Sequence, residues 1–183
     1  MLANEMYLPS DPELSSLSLN ARSLLYEFNL THPNDNTLRQ KILEKLLGRF
    51  GGNVEIRPPF FCDYGKHIYL GSTVFMNFNC VLLDCNEITI GNDVMFGPNV
   101  QIYTAYHPLG ATLRNSGREL AAPIWIEDNV WLGGGVIVCP KVKIGKNSVI
   151  GSGSVVTKSI PENVFAAGNP AKVIKEIDNH DLL

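Results

Sequence analysis

Every sixth residue from Ile126 onward is aliphatic: Leu132, Val138, Ile144, Ile150 and Val156 follow at that step. Glycine comes directly after at 133, 145 and 151, and Val130, Val136, Val142, Ser148 and Ser154 stand four positions beyond the aliphatic residues. Counting back by six reaches Ile102, Phe96 and Ile90 across a break at 103–122. A second run, Leu70, Met76, Leu82 and Ile88, keeps the step two residues out of phase. A helix repeats near 3.6 and a strand at 2, so neither sustains a period of six. A six-residue unit made of a short strand and a turn does. Three such units close one triangular coil, and the aliphatic residue points inward onto its equivalents in neighbouring coils. A β-sandwich with turn signals about every 8–12 residues is the competing reading, and it does not account for six consecutive matches. The expected fold is mainly β, a parallel β-helix.

The break has its own meaning. Residues 103–122 abandon the inward pattern, yet phase returns at Ile126, four steps of six after Ile102. A segment that leaves a regular coil and rejoins it in register reads as an extruded loop, and long loops on rigid scaffolds commonly carry function.

Before residue 53 the periodicity is helical. Asp11-Pro12-Glu13 is a start signal, Asp as N-cap and Pro at the first helical position. Leu24, Leu25 and Phe28 share a face, Thr31-His32-Pro33-Asn34-Asp35 interrupts, and Leu38, Ile42, Leu43, Leu46 and Leu47 repeat the helical spacing up to Gly51-Gly52. The chain thus divides into a helical segment, 1–52, and a hexapeptide-repeat domain, 53–183, forming one unit. After Val156 the segment Thr157–Pro161 closes the coil, and 166–175 is expected to lead into a short C-terminal helix capping the stack.

Composition narrows the function classes. With 45% apolar residues the chain can build a packed core, which excludes wholesale disorder. Its 15 Lys and Arg against 18 Asp and Glu give a net charge of −3, which disfavours nucleic-acid binding. The apolar runs are too short to span a membrane. The opening Met1-Leu2-Ala3-Asn4-Glu5 lacks the pattern of a signal peptide, so a cytoplasmic protein is expected. Cys62, Cys80, Cys85 and Cys139 form no CxxC pair and read as reduced thiols. Cys80 and Cys139 continue inward patterns and read as core. Cys85 has no metal-ligand spacing around it, and no metal site is expected.

With repeats and loop in view, the chain resembles the maltose and galactoside O-acetyltransferases. The match runs nearly end to end. It is carried by Tyr7 with Asp11-Pro12-Glu13-Leu14, Tyr26-Glu27-Phe28-Asn29 with His32-Pro33, Cys62-Asp63-Tyr64-Gly65, Asn77-Phe78-Asn79, Leu83-Asp84, Tyr106-His107-Pro108, Asn115-Ser116-Gly117, Asn129-Val130-Trp131-Leu132-Gly133 and Ala167-Gly168-Asn169-Pro170-Ala171. The repeats alone indicate the superfamily; the helical N-terminus and the loop motif narrow it, closer to the maltose branch. The resemblance implies a left-handed β-helix, a homotrimer with sites between adjacent subunits, acetyl-CoA as co-substrate and a sugar hydroxyl as acceptor.

Moving an acetyl group from a thioester to a hydroxyl calls for a base near neutral pKa, and histidine is the usual one. Of four histidines, His32 lies in a helix-breaking loop, His67 beside a glycine turn and His180 in the tail; His107 alone lies in the extruded loop. Taken blind, a lone loop histidine reads as a surface residue, but the resemblance assigns His107 as general base, with direct transfer in a ternary complex. By the same resemblance Glu119 orients His107, against the plainer reading of a solvated loop charge beside Arg118. Asp11, Asp63, Asn77 and Asp84 match acceptor-site positions. Asp11 reads equally as a helix cap and Asn77 as a turn residue, whereas Asp84 breaks the aliphatic pattern. For CoA the resemblance supplies Trp131, Gly134, Ser152, Thr157, Lys158, Lys172 and Lys175, the last two where relatives often hold arginine. Each lysine alone reads equally as solvated surface. Two departures bear on the acceptor: Ser18 stands where arginine is common, and Cys85 stands where galactoside enzymes carry a second acid. Both weaken the substrate assignment, within which a glucosyl or maltosyl acceptor is favoured.

Other functions fit parts of this pattern. A zinc carbonic anhydrase on the same fold needs three histidines, and the coil region offers only His67 and His107. An antibiotic or oligosaccharide acceptor would share coil and histidine. A non-catalytic scaffold would keep the coil and bind no CoA.

Overall fold

The computed structural model describes residues 1–178. From residue 55 the chain winds as a three-faced parallel coil. The first face stacks Glu55–Ile56, Phe75–Met76, Met95–Phe96, Trp131–Leu132, Val149–Ile150 and Val164–Gly168. The second stacks Phe60–Cys62, Cys80–Leu83, Gln101–Tyr103, Ile137–Val138 and Val155–Val156, and the third Ile68–Leu70, Ile88–Ile90, Ile124–Ile126 and Lys143–Ile144. The period-six series from Ile126 to Val156 lies inside, successive members on successive faces and each at most 1% exposed. Ile90, Phe96, Ile102, Leu70, Met76, Leu82 and Ile88 are buried with it. Burying each such side chain contributes about 1.5–3 kcal/mol, and stacking them coil on coil makes the repeat self-propagating.

Corners are sharp because one residue in most of them takes the left-handed conformation. Asn53, Asn79, Asn99, Asn129, Asn147 and Asn163 all have φ between 57° and 62°. Asparagine tolerates that region better than other side chains. The Asn129 amide donates to Asn147 at 2.9 Å and the Asn147 amide to Asn163 at 2.8 Å, a ladder pinning one edge.

Register explains the phase slip seen in the sequence. Met95 pairs with Phe75, twenty positions back, whereas Val149 pairs with Trp131, eighteen back. The two extra residues of each early coil sit at a single corner, between the second and third faces. Residues 63–67 and 83–87 fill it there, against 139–141 in the fourth coil. The third coil carries 103–123 at this same corner, so Trp131 pairs with Met95 thirty-six positions back. One edge of the prism is therefore wide, and it holds the loop.

Both ends of the stack are covered. Helix α1, Pro12–Asn29, is capped by the Asp11 carboxylate on the Glu13 N–H, and α2, Asn36–Leu46, by Asp35 on Leu38. Ala21, Leu25, Phe28, Ile42, Leu43 and Leu46 turn their apolar faces onto the first coil, with Phe28 edge-on to Phe60 at 6.5 Å. Asn29 finishes the open strand edge: its amide donates to the Phe60 carbonyl at 2.9 Å, and its oxygen accepts from the Phe60 N–H at 2.8 Å. α2 stops at Leu46, short of the Gly51-Gly52 pair.

At the far end the structure corrects the expected closing helix. Val164–Gly168 and Ala171–Glu176 form an antiparallel hairpin, its first strand continuing the first face beside Val149–Ile150. The free strand edge left by the last coil takes these residues as ladder, and Asn169-Pro170 turns them back. The last coil is also short, Phe165 pairing sixteen positions back with Val149. Ser148 and Ser154, standing where valine stood earlier, accept from Val164 N–H and Gly168 N–H and so bind the shortened turn. The part of the expected tail at 179–183 lies outside the described residues. Cys80 is core as expected, but Cys139 is only partly buried, because it opens the wide-edge corner instead of facing inward. No helix among the described residues is long and apolar enough to cross a membrane.

Candidate active site

The side chains with chemistry collect on the wide edge. Asp84 stands at the widened corner, two residues past the inward Leu82 and level in register with Tyr64 and Thr104, and is fully buried. Its Oδ1 accepts from the backbone N–H groups of Asp63 at 3.0 Å and Tyr64 at 2.9 Å, and its Oδ2 from His67 N–H at 3.2 Å. The His67 ring nitrogen Nδ1 bonds the Asp84 carbonyl at 2.7 Å. One carboxylate thus replaces the strand ladder that the corner at 63–67 cannot make. The next residue, Cys85, turns outward and donates its thiol to Asp63 Oδ2 at 3.2 Å.

In the third coil the loop leaves as a short hairpin, Ala105–Tyr106 against Leu120–Ala121. Tyr106 pairs with Leu120, so the next pair outward in that register is His107 and Glu119. Residues twelve apart in the sequence are brought face to face, with His107 Nε2 3.8 Å from Glu119 Oε1, an ion-pair distance. From the other side Tyr7 forms a two-bond antiparallel bridge to Glu119, each N–H on the other's carbonyl at 3.0 Å. Lys141, at the same corner one coil on, holds its ammonium 5.5 Å from the centre of the Tyr106 ring.

These elements enclose a cleft of about 640 Å³. Asp63, Tyr64, Leu83, Cys85, Tyr103, Ala105, His107 and Glu119 form one wall, and Pro9, Ser15, Ser18, Leu19 and Arg22 of the N-terminal segment the other. Asp63 and Glu119 both line the cleft, and Asp84 lies buried behind it. Burial raises the Asp63 pKa, and repulsion from Asp84 and Glu119 adds to this, while the Cys85 thiol bond opposes it. Burial also raises Asp84, against the pull of the backbone donors and His67. The Cys85 thiol is pushed well up by burial and by the charge of Asp63. A cleft with a base, acceptor carboxyls and a guanidinium can seat a polyhydroxyl compound and deprotonate one hydroxyl.

The residues singled out from sequence do not all meet here. Asp63, His107 and Glu119 do. Asp84 lies behind the wall, and Cys85 lines it. Asp11 is taken up by its cap. Asn77 sits on the edge between the first and second faces, its side-chain oxygen accepting from Phe78 N–H at 2.9 Å. Trp131, Gly134 and Ser152 follow on that same edge or face in later coils, with Trp131 exposed. Smallness at Gly134 also serves packing, since a Cβ there would stand 3.3 Å from the Pro98 carbonyl oxygen. Thr157 and Lys158 lie on the wide edge at the last coil, and Lys172 and Lys175 on the closing hairpin. Arg22, not singled out from the sequence, stands one helical turn after Ser18 and lines the cleft with it. Among the described residues no cluster of three or more His, Cys, Asp or Glu is arranged to hold a metal ion.

This fold and cleft define a hexapeptide-repeat acyltransferase. Residues 1–51 match the model of the maltose acetyltransferase hexapeptide capping motif, and residues 123–158 that of the bacterial transferase hexapeptide, six repeats. The galactoside O-acetyltransferase of Lactococcus lactis is 46% identical over 178 residues, covering 97% of this chain and 86% of the relative. The crystal structure of a maltose O-acetyltransferase from Clostridium difficile 630 superposes with a TM-score of 0.96 at 47% identity, covering 97% of this chain and 95% of that one. A galactoside acetyltransferase in complex with coenzyme A gives 0.95 at 39% identity, covering 98% and 90%. The chain belongs to the maltose and galactoside O-acetyltransferase family.

Proposed function

We propose that this protein transfers the acetyl group of acetyl-CoA to a hydroxyl of a maltose- or glucose-like sugar, with His107 as general base. The observation that carries the reading is the His107–Glu119 pair over a cleft lined by Asp63 and Arg22. His107 takes the proton of the acceptor hydroxyl as its oxygen attacks the thioester carbon. The tetrahedral intermediate then collapses with cleavage of the C–S bond, and the imidazolium returns the proton to the CoA sulfur. No acyl-enzyme forms. Glu119 stabilises the imidazolium between the two proton transfers.

The acetyl donor is held by Trp131, Gly134, Ser152, Thr157, Lys158, Lys172 and Lys175, and the acceptor by Asp63 with Asn77 of an adjacent copy. Support for a site shared between subunits of a homotrimer comes from placement. Within one chain Asn77, Gly134 and Ser152 lie on a different edge of the prism from His107, so a neighbouring prism must bring such an edge to each cleft. The relative with coenzyme A bound supports the choice of donor.

The test is thiol release from acetyl-CoA with glucose, maltose, a galactoside, chloramphenicol or no acceptor. Release dependent on glucose or maltose supports the reading. Release only with chloramphenicol, or with no sugar, overturns the acceptor assignment.

A further inference from the structure

The proposed base, His107, is exposed on a loop, and its partner Glu119 is a long side chain with three rotatable bonds. A carboxylate so placed loses rotamer entropy when it holds one orientation, unless something else fixes it. The structure supplies that restraint from the opposite end of the chain. The Tyr7 hydroxyl donates to Glu119 Oε2 at 3.0 Å, while the other oxygen, Oε1, is the one that faces His107 at 3.8 Å. The backbone of Glu119 is fixed at the same time by its two hydrogen bonds with Tyr7. Tyr7 is itself immobilised: only 8% exposed, it packs with Tyr64, Cys85 and Ala121.

We propose that Tyr7 is a positioning residue for the catalytic histidine, holding one oxygen of Glu119 so that the other is presented to the His107 ring. The proposal rests on the reading of His107 as base and Glu119 as its partner. Tyr7 does not line the cleft, so it acts through Glu119 and touches no substrate. Its phenol stays protonated across the working range, because burial raises its pKa and its interactions with Cys85 and Glu119 raise it further. It is therefore a permanent donor, and the bond persists whatever the state of His107. The N-terminal segment, besides walling the cleft, completes the base from 112 residues away.

The consequence is testable because a carboxylate freed from the Tyr7 hydroxyl no longer presents a fixed oxygen to the imidazolium formed during turnover. Tyr7→Phe keeps the buried ring and removes only the hydroxyl. The full-length protein should then show kcat about tenfold lower, the scale of one lost orienting hydrogen bond. KM for acetyl-CoA should be unchanged, and the acid limb of the pH–rate profile should move to lower pH. In a Glu119→Gln background the same substitution should add almost nothing, since the two act in series. NMR titration of His107, below the melting temperature of each variant, reads the same shift without turnover, so a partial loss of stability does not hide it. A Tyr7→Phe enzyme with wild-type kcat and pH profile, or one whose loss is undiminished in the Glu119→Gln background, overturns the proposal. His107→Ala run in parallel separates the two levels. An inactive His107→Ala protein beside an unaffected Tyr7→Phe protein sinks only the positioning role, whereas an active one removes the base and the positioning role with it.

Discussion

The backbone N–H of Asp63 donates to Asp84 Oδ1 at 3.0 Å, so the carboxylate that lines the cleft is set in place by one that never reaches it. Asp84 organises the five-residue corner at 63–67 through three backbone donors. Asp84→Ala leaves those donors buried without an acceptor and should cost about 3–5 kcal/mol. Asp84→Asn keeps an acceptor oxygen and should cost less than half of that. Chemical denaturation of both variants checks the order. A loss in acceptor KM without a loss of stability would instead make Asp84 a direct sugar ligand.

Asp63 should trade stability for function. Its pKa is raised in the folded state, so the fold binds a proton that the unfolded chain has released between the ordinary carboxylate value and the raised one. Stability therefore falls as pH rises through that window, the reverse of the usual paired carboxylate. Asp63→Asn should raise the melting temperature at pH 7 while lowering kcat/KM for the acceptor. Melting curves from pH 4 to 8 should show the advantage of the variant shrinking toward acid.

Cys85 lines the cleft but should be a sluggish nucleophile. Burial and the Asp63 charge push its thiol up, so little thiolate exists at neutral pH. In a Cys139→Ser background, a disulfide reagent at pH 7.5 should react far more slowly than with free thiol, and acceptor sugar should slow it further. Rapid labelling indifferent to acceptor would show that the cleft does not place sugar over this wall.

Leu132 tests the coil itself. It is fully buried on the first face, stacked between Phe96 and Ile150 of the coils on either side. Leu132→Ala should cost about 2–5 kcal/mol through lost burial and the cavity left behind. Denaturant midpoints decide it, with unchanged CoA affinity at low denaturant as the control.

The coil was readable from sequence because it repeats. Each aliphatic residue from Ile126 to Val156 reports the same inward position, so six weak signals add. The loop was readable as a lapse in that signal, and His107 as the histidine within it. The placement of Asp84 was not, since a single polar residue after an aliphatic run announces an exception without saying whether it faces a ligand or a neighbouring corner. Cys85 was dismissed for lack of metal spacing, although its role depends on a two-residue widening that only the strand register reveals. The closing hairpin was not legible, because the free strand edge that captures Phe165 and Ala166 belongs to Val149–Ile150 and exists only once the last coil has formed. Tyr7 lies 112 positions from Glu119, and no local pattern could link them.

The central claim is that His107 removes the acceptor proton. It is tested most directly by sugar-dependent release of CoA thiol by His107→Ala beside the wild-type enzyme, at matched fold and saturating acetyl-CoA. Turnover should fall by at least ~10²-fold, the scale of a lost general base, while CoA binding and melting temperature hold. A variant that releases thiol at near wild-type rate would place the base elsewhere.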